Sequence, residues 1–177
     1  MKVLTLIGGI SANSINKKLL ELIKPLAPKD FEFEVFDIAS LPFYSQDIDN
    51  SEAKAAKLKS AIRSSSAVLF ITPEYNRSIP GVLKNAIDWA SRPYNENVWS
   101  GKPAAVLGAS MGAIGTFGAQ MHLKRTIAFL GMKVMNQPEI YFNFGANVDD
   151  KGAMSETSQK HFKAFLDSFK QWIIKNS

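Results

Sequence analysis

The chain has 177 residues, 46% of them hydrophobic and 21% charged, with a net charge of +5 and no cysteine. That length and balance predict one globular domain over residues 1–177, large enough to bury a core without staples. The lack of cysteine excludes disulfides, thiolate catalysis and thiolate-bound metals, and it fits a reducing cytoplasm. The lysines and arginines are scattered, with no run longer than Lys17-Lys18 or Lys124-Arg125. The basic balance therefore reads as a solvated surface and not as a nucleic-acid interface. No stretch approaches the roughly 20 apolar residues of a membrane span.

Residues 2–7 read as a buried strand, stopped by Gly8-Gly9. The run is short and broken by those glycines, which separates it from a leader peptide. Residues 14–26 read as a helix with Ile15, Leu19, Leu22, Ile23 and Leu26 on one face, capped by Asn13 or Ser14. Residues 31–35 alternate strictly, the mark of a strand with one wet face or at a sheet edge. A loop over 39–50 has apolar anchors in Pro42, Phe43 and Tyr44. Residues 51–63 read as a helix with Ser51 as cap. Residues 67–71 form a fully apolar strand.

A helix over 82–91 follows, apolar on nearly every side, so it must be covered on more than one side. The sheet covers one; a second subunit or a loop of the same chain covers the other. Residues 103–109 read as a fourth strand and 110–118 as a glycine-rich turn. A helix begins at Thr116 or Phe117 and runs to Leu130. Residues 133–135 and 139–142 share a fifth strand region interrupted near Pro138. Residues 155–175 form the last helix, with Phe162, Phe165, Leu166, Phe169, Trp172 and Ile173 as a core stripe.

Strand and helix alternate throughout, which predicts parallel strands joined by right-handed crossovers. The expected architecture is a flavodoxin-like three-layer α/β sandwich with strand order 2-1-3-4-5 and helices on both faces. In such a sheet the loops after strands one, three and four lie side by side at the carboxyl edge. The first, 8–16, joins a strand to a helix start, where free N–H groups and the helix dipole attract phosphate. Gly9, Ser11, Ser14, Ile15 and Asn16 lie there, and the hydroxyls and amide are candidate ligands. The loop is neither G-x-G-x-x-G nor a G-K-[ST] phosphate loop, which favours a mononucleotide. The second loop, 71–81, carries Pro73, Glu74, Tyr75 and Asn76. The third, 108–118, carries Ser110, Met111 and Gly112 among glycines that allow close backbone approach to a flat ligand.

Residues 73–89, PEYNRSIPGVLKNAIDW, resemble the signature of the NAD(P)H-dependent FMN reductases, the flavodoxin-like quinone, chromate and azo-dye reductases. The resemblance extends from Lys2 to about Ile140, and the third loop is similar to that family's G-x-S-x-G segment. It implies bound FMN, with NADPH or NADH as hydride donor. The implied activity is reduction of quinones, azo dyes, free flavin or similar small electrophiles by ping-pong hydride transfer. It also implies assembly as a homodimer or homotetramer, here through the 82–91 region.

By the same resemblance Ser14 and Asn16 hold the phosphate. Pro73, Glu74, Tyr75 and Asn76 line the isoalloxazine and ribityl chain, and Ser110, Met111 and Gly112 face the ring. The cofactor carries the chemistry, so no catalytic side chain is assigned. Arg77 and Lys84 lie where a donor phosphate or plain solvent would meet them. His122 and His161 have no partner at metal-ligand spacing, and His122 reads as a structural or surface residue.

The family's first loop commonly reads G-S-x-R-x-x-S-x-N, whereas here Gly9 stands at the serine and Ser11 at the arginine. A charge-assisted phosphate contact is lost, which predicts weaker FMN retention unless Lys17 compensates. The rival readings are a flavodoxin-type electron carrier and a non-catalytic flavin-binding module. Carriers are usually acidic, against +5 here.

Overall fold

A computed structural model of the chain describes residues 1–49 and 52–177. Five parallel strands form one sheet: β1 (Lys2–Ile7), β2 (Glu32–Val35), β3 (Ala67–Ile71), β4 (Pro103–Leu107) and, further along, Lys133–Val134. With the short strand Ala109–Ser110 numbered β5, the last of these is β6, and the sheet order is β2-β1-β3-β4-β6. This is the expected order. The three central strands are apolar because helices cover both of their faces. Every residue of β3 and β4 is buried. β2 sits at the edge with its alternating residues half exposed, as its pattern predicts.

On one face lie α1 (Ile15–Ile23) and α6 (Glu156–Asn176), packing Leu19, Leu20, Ile23, Phe162, Phe165 and Phe169 on Val3, Leu69 and Ala105. On the other lie α2 (Ala53–Ser64), α3 (Gly81–Ala90) and α4 (Phe117–Phe129). Short helix α5 (Phe144–Asn147) falls in a segment without helical periodicity. Ser14 caps α1, its oxygen accepting the Asn16 N–H at 3.3 Å. The 14–26 helix ends as a 3₁₀ turn over Lys24–Leu26, where Pro25 removes a donor. The Ser51 cap lies outside the described residues; Glu52 accepts the Lys54 N–H at 2.9 Å. Among the described residues no helix is long and apolar enough to cross a membrane.

One expectation needs correction. The fifth strand region divides between two sheets. Lys133–Val134 pairs with β4, while Phe142–Asn143, here β7, pairs in parallel with β5 in a separate two-stranded sheet. Pro138 lies between them and has no N–H to donate to a ladder, so the chain leaves the main sheet there.

At α3 the sequence leaves open the choice between a loop of the same chain and a second subunit, and the outer side carries its own chain. Tyr44 N–H donates to Asn85 Oδ1 at 2.8 Å, and Asn85 Nδ2 and Trp89 Nε1 both donate to the Pro42 carbonyl, at 2.9 and 2.8 Å. Tyr44 meets Trp89 edge-on with centroids 5.2 Å apart. The loop after β2 thus covers this side of the helix.

Candidate functional site

The three loops touch one another pairwise at the carboxyl edge. Gly8 N–H donates to the Ile71 carbonyl at 2.8 Å and Thr72 N–H to the Leu107 carbonyl at 2.9 Å, so each loop leaves the sheet still in register with its neighbour. Beyond those bonds, side chains far apart in sequence fix the loops in place.

In the first loop, the N–H groups of Gly9, Ile10, Ser11, Ala12, Asn13 and Ile15 donate to no described group of the chain. They lie at the N-terminus of α1, whose first turn holds no acidic residue. Such a set of free donors at a helix start binds an anion. Lys17 adds a cation: its ammonium donates to the Ile10 carbonyl at 3.0 Å. Gly9 leaves room for the Ser14 cap. A Cβ there would lie 2.3 Å from Ser14 Oγ, so the capping rotamer of Ser14 and a serine at position 9 exclude each other.

The Asn16 side chain is engaged by the third loop. It is 1% exposed. Its Oδ1 accepts the Ala109 N–H at 2.9 Å and its Nδ2 donates to the Ala109 carbonyl at 3.1 Å. The side-chain amide copies one rung of a β-ladder and clamps the first loop to the third. Its backbone N–H is used by Ser14.

In the second loop, Tyr75 and Ser78 exchange both backbone hydrogen bonds, at 2.9 and 3.0 Å, around Asn76 (φ 50°) and Arg77 (φ 64°). This is a type I′ hairpin turn with two non-glycine residues in the left-handed region. Such a conformation costs on the order of 1 kcal/mol per residue and persists where the surroundings over-determine it. Two side chains do so. Glu74 Oε1 pairs with Arg77 at 3.2 Å, while Glu74 Oε2 accepts the Ala119 N–H at 3.0 Å. Ser78 Oγ and His122 Nδ1 share a 2.7 Å hydrogen bond.

Glu74 thus caps α4 from another loop, which Thr116 at φ 68° does not do with its own side chain. A carboxylate at a helix N-terminus is also favoured by the dipole. Glu74 is therefore occupied by protein partners, whereas Tyr75 and Asn76 are exposed and Pro73 is buried beneath them. Lys84 is bound to Asp88 at 2.7 Å on the flank of α3, and Arg77 to Glu74, so neither is a free cation.

The third loop is anchored from below. Gly115 has φ +59°, and a Cβ there would lie 2.2 Å from the Tyr141 carbonyl carbon. Gln120, fully buried, donates from Nε2 to Thr116 Oγ1 at 3.1 Å and to the Ile140 carbonyl at 2.9 Å. Tyr141 meets Phe117 edge-on at 5.2 Å. Burial, then the Glu139 carboxylate, pushes the Tyr141 phenol well above its usual range. Lys124, at 2.6 Å, and then Tyr141 hold Glu139 below the ordinary carboxylate value. Above this base Ser110 Oγ donates to the Gly112 carbonyl at 2.9 Å. Met111 and Gly112 are exposed, and nothing lies within 4 Å of where a Gly112 Cβ would be.

Ile10, Tyr75, Met111, Ile114 and Phe117 are all exposed large apolar residues, and all sit on these three loops. Ile10, Ile114 and Phe117 escaped the sequence reading; their signal was apolar residues in loops with no periodic partner. Free phosphate donors at one end, with exposed apolar side chains and open glycine backbone at the other, fit a flat ring carrying a phosphorylated tail. FMN has that chemistry.

Comparison with known proteins agrees. The family model described as NADPH-dependent FMN reductase matches residues 1–147. The chain is 44% identical over 176 residues to a 2-hydroxy-1,4-benzoquinone reductase of a Burkholderia species, covering 98% of this chain and 96% of that one. It is 40% identical over 177 residues to a quinone reductase of Pseudomonas putida, covering 98% and 95%. Among solved structures it is similar to FerB of Paracoccus denitrificans, a flavoenzyme NAD(P)H:(acceptor) oxidoreductase. The TM-score is 0.93 at 41% identity, covering 99% of this chain and 98% of that one. A family match over residues 1–147, together with relatives 40% and 44% identical over nearly the whole chain, places this protein in the NADPH-dependent FMN reductase family.

Proposed function

We propose that this chain is an NAD(P)H-dependent oxidoreductase that holds FMN across its three loops and reduces quinones and similar flat electrophiles. The observation that carries the reading is the juxtaposition just described: unpaired N–H groups of Gly9–Asn13 at a helix start, beside exposed apolar loop residues. The N–H groups of the first loop, with Ser11, Ser14 and Lys17, hold the phosphate. Pro73, Tyr75 and Asn76 line the ring and its ribityl chain. Ser110, Met111 and Gly112 face the ring from the third loop, where backbone N–H groups stabilise negative charge.

Glu74 and Asn16 act through the loops they brace. Bound FMN supplies two-electron transfer between donor and acceptor. The exposed rim of Tyr75, Met111 and Phe117 leaves the site open enough for donor and acceptor to occupy it in turn. Assembly as a homodimer or homotetramer through the α3 region is part of the same reading, supported by Tyr94 and Phe129, exposed beside it.

The test is a visible absorption spectrum after soaking with FMN and desalting, followed by anaerobic NADH or NADPH. A retained flavin spectrum that bleaches, and recovers on adding benzoquinone, is expected. An electron carrier would need a separate reductase. A protein that retains no flavin would sink the reading.

A further inference from the structure

On the β2 side of the first loop, away from the second and third, lies a cavity of about 520 Å³. Small-molecule sites occupy roughly 300–1,000 Å³. The cavity arises because β2 is short and at the sheet edge, so α1 leaves its carboxyl end bare. Val35 there is 49% exposed, and Ile10 from the first loop is equally open. Ile38, buried, closes the wall.

Lys17 and Lys18 line the cavity from α1, and Asp37 lines it from the end of β2. Asp37 Oδ1 accepts the Ala39 N–H at 3.1 Å, while its second oxygen takes no hydrogen bond from a described residue. Glu21, the other acid of the lining, is held by Lys24 at 2.7 Å.

Two exposed apolar side chains, Val35 and Ile10, with the Lys18 cation and the open oxygen of Asp37, match an adenosine phosphate. In dinucleotide-binding doubly wound folds a carboxylate near the end of the second strand hydrogen-bonds a ribose diol, and Asp37 offers the same chemistry to the cavity although the first loop lacks that fingerprint. We propose that this cavity takes the adenylate half of the nicotinamide donor, and that Asp37 favours the donor with a free 2′-hydroxyl over the 2′-phosphate. The inference rests on the reductase reading. FMN ends at its phosphate, which the first loop and Lys17 already serve, so the cavity and Lys18 are left for a second nucleotide. A 2′-phosphate would meet the Asp37 charge at close range, and like charges discriminate strongly.

The experiment is calorimetric titration of the purified protein, with and without FMN loading, using ADP-ribose and 2′-phospho-ADP-ribose. The variants are Val35→Trp, Val35→Glu and Asp37→Ser. Wild type binds ADP-ribose about tenfold or more tighter than its 2′-phosphate; Asp37→Ser narrows that gap to about threefold or less. Both Val35 variants weaken ADP-ribose about tenfold or more while the flavin spectrum is retained. Val35 is already half exposed, and Val35→Glu covers the case in which the tryptophan variant fails to fold.

No heat with millimolar ADP-ribose overturns the inference, as does unchanged binding in both folded Val35 variants. So does FAD retained through desalting in preference to FMN and displaced by ADP-ribose, because the cavity would then serve the flavin. A protein that binds ADP-ribose through Val35 but retains no FMN keeps the inference and loses the flavin reading, so the two failures are distinguishable.

Discussion

Replacing Asn16 by alanine tests whether the first and third loops form one unit. The side chain is buried and makes two hydrogen bonds to one residue 93 positions away. Removing it costs the net value of those bonds, about 1 kcal/mol each, and leaves the Ala109 N–H and C=O unpaired, so a total of about 2–4 kcal/mol is expected. With a urea m-value of about 2 kcal/mol/M, the unfolding midpoint falls by about 1–2 M.

Asn16→Asp sharpens the test. The carboxylate still accepts the Ala109 N–H, but its second oxygen opposes the Ala109 carbonyl until it is protonated. Its folded-state pKa is therefore raised above the unfolded value near 3.9. The folded state takes up the proton first, so the stability deficit is full above the folded pKa and shrinks as pH falls through it toward about 4. The assay is urea unfolding by tryptophan fluorescence from pH 4 to 8, with FMN affinity measured on the same samples. An alanine variant of unchanged midpoint that has lost FMN would refute the clamp and make Asn16 a direct phosphate ligand. A destabilised variant with undiminished FMN affinity would detach the clamp from the site.

Glu74→Ala removes the cap of α4 and the partner of Arg77. About 1–2 kcal/mol is expected, read as a Tm lower by about 3–6 °C. Gly115→Ala places a Cβ against the Tyr141 backbone at a left-handed φ. Strain plus the clash costs about 3 kcal/mol or more and is accompanied by loss of flavin retention in desalting. Ser11→Arg restores a charge-assisted phosphate contact, and about tenfold tighter FMN binding is expected by fluorescence titration; unchanged affinity would mean that position 11 does not reach the phosphate. Lys124 and then Tyr141 depress the Glu139 pKa, so this contribution is present above the unfolded value and lost as pH falls through the folded one. The stability gap between wild type and Glu139→Gln should hold steady above about pH 5 and close below it.

Local physics is what a single chain displays openly. Apolar runs over 67–71 and 103–109 read as strands buried on both faces, and the alternation at 31–35 gave that strand a wet face or a place at the sheet edge. The helix start at Ser14 followed from the preference of short hydroxyl side chains for caps. The strand order then placed three loops together, and their composition pointed to a phosphorylated flat ligand. What the sequence could not display was which polar side chains those loops use on one another. Asn16 and Glu74 look like ligands in a motif because both carry the right atoms. Only the fold shows their partners, Ala109 and Ala119, 93 and 45 residues away. The division of the fifth strand region and the covering of α3 by Pro42 and Tyr44 were likewise decided by where the chain ends up, since periodicity reports that a face is buried and not what buries it. The bare end of β2, with Val35 and Asp37 beside the first loop, became a cavity only when α1 was seen to stop short of it.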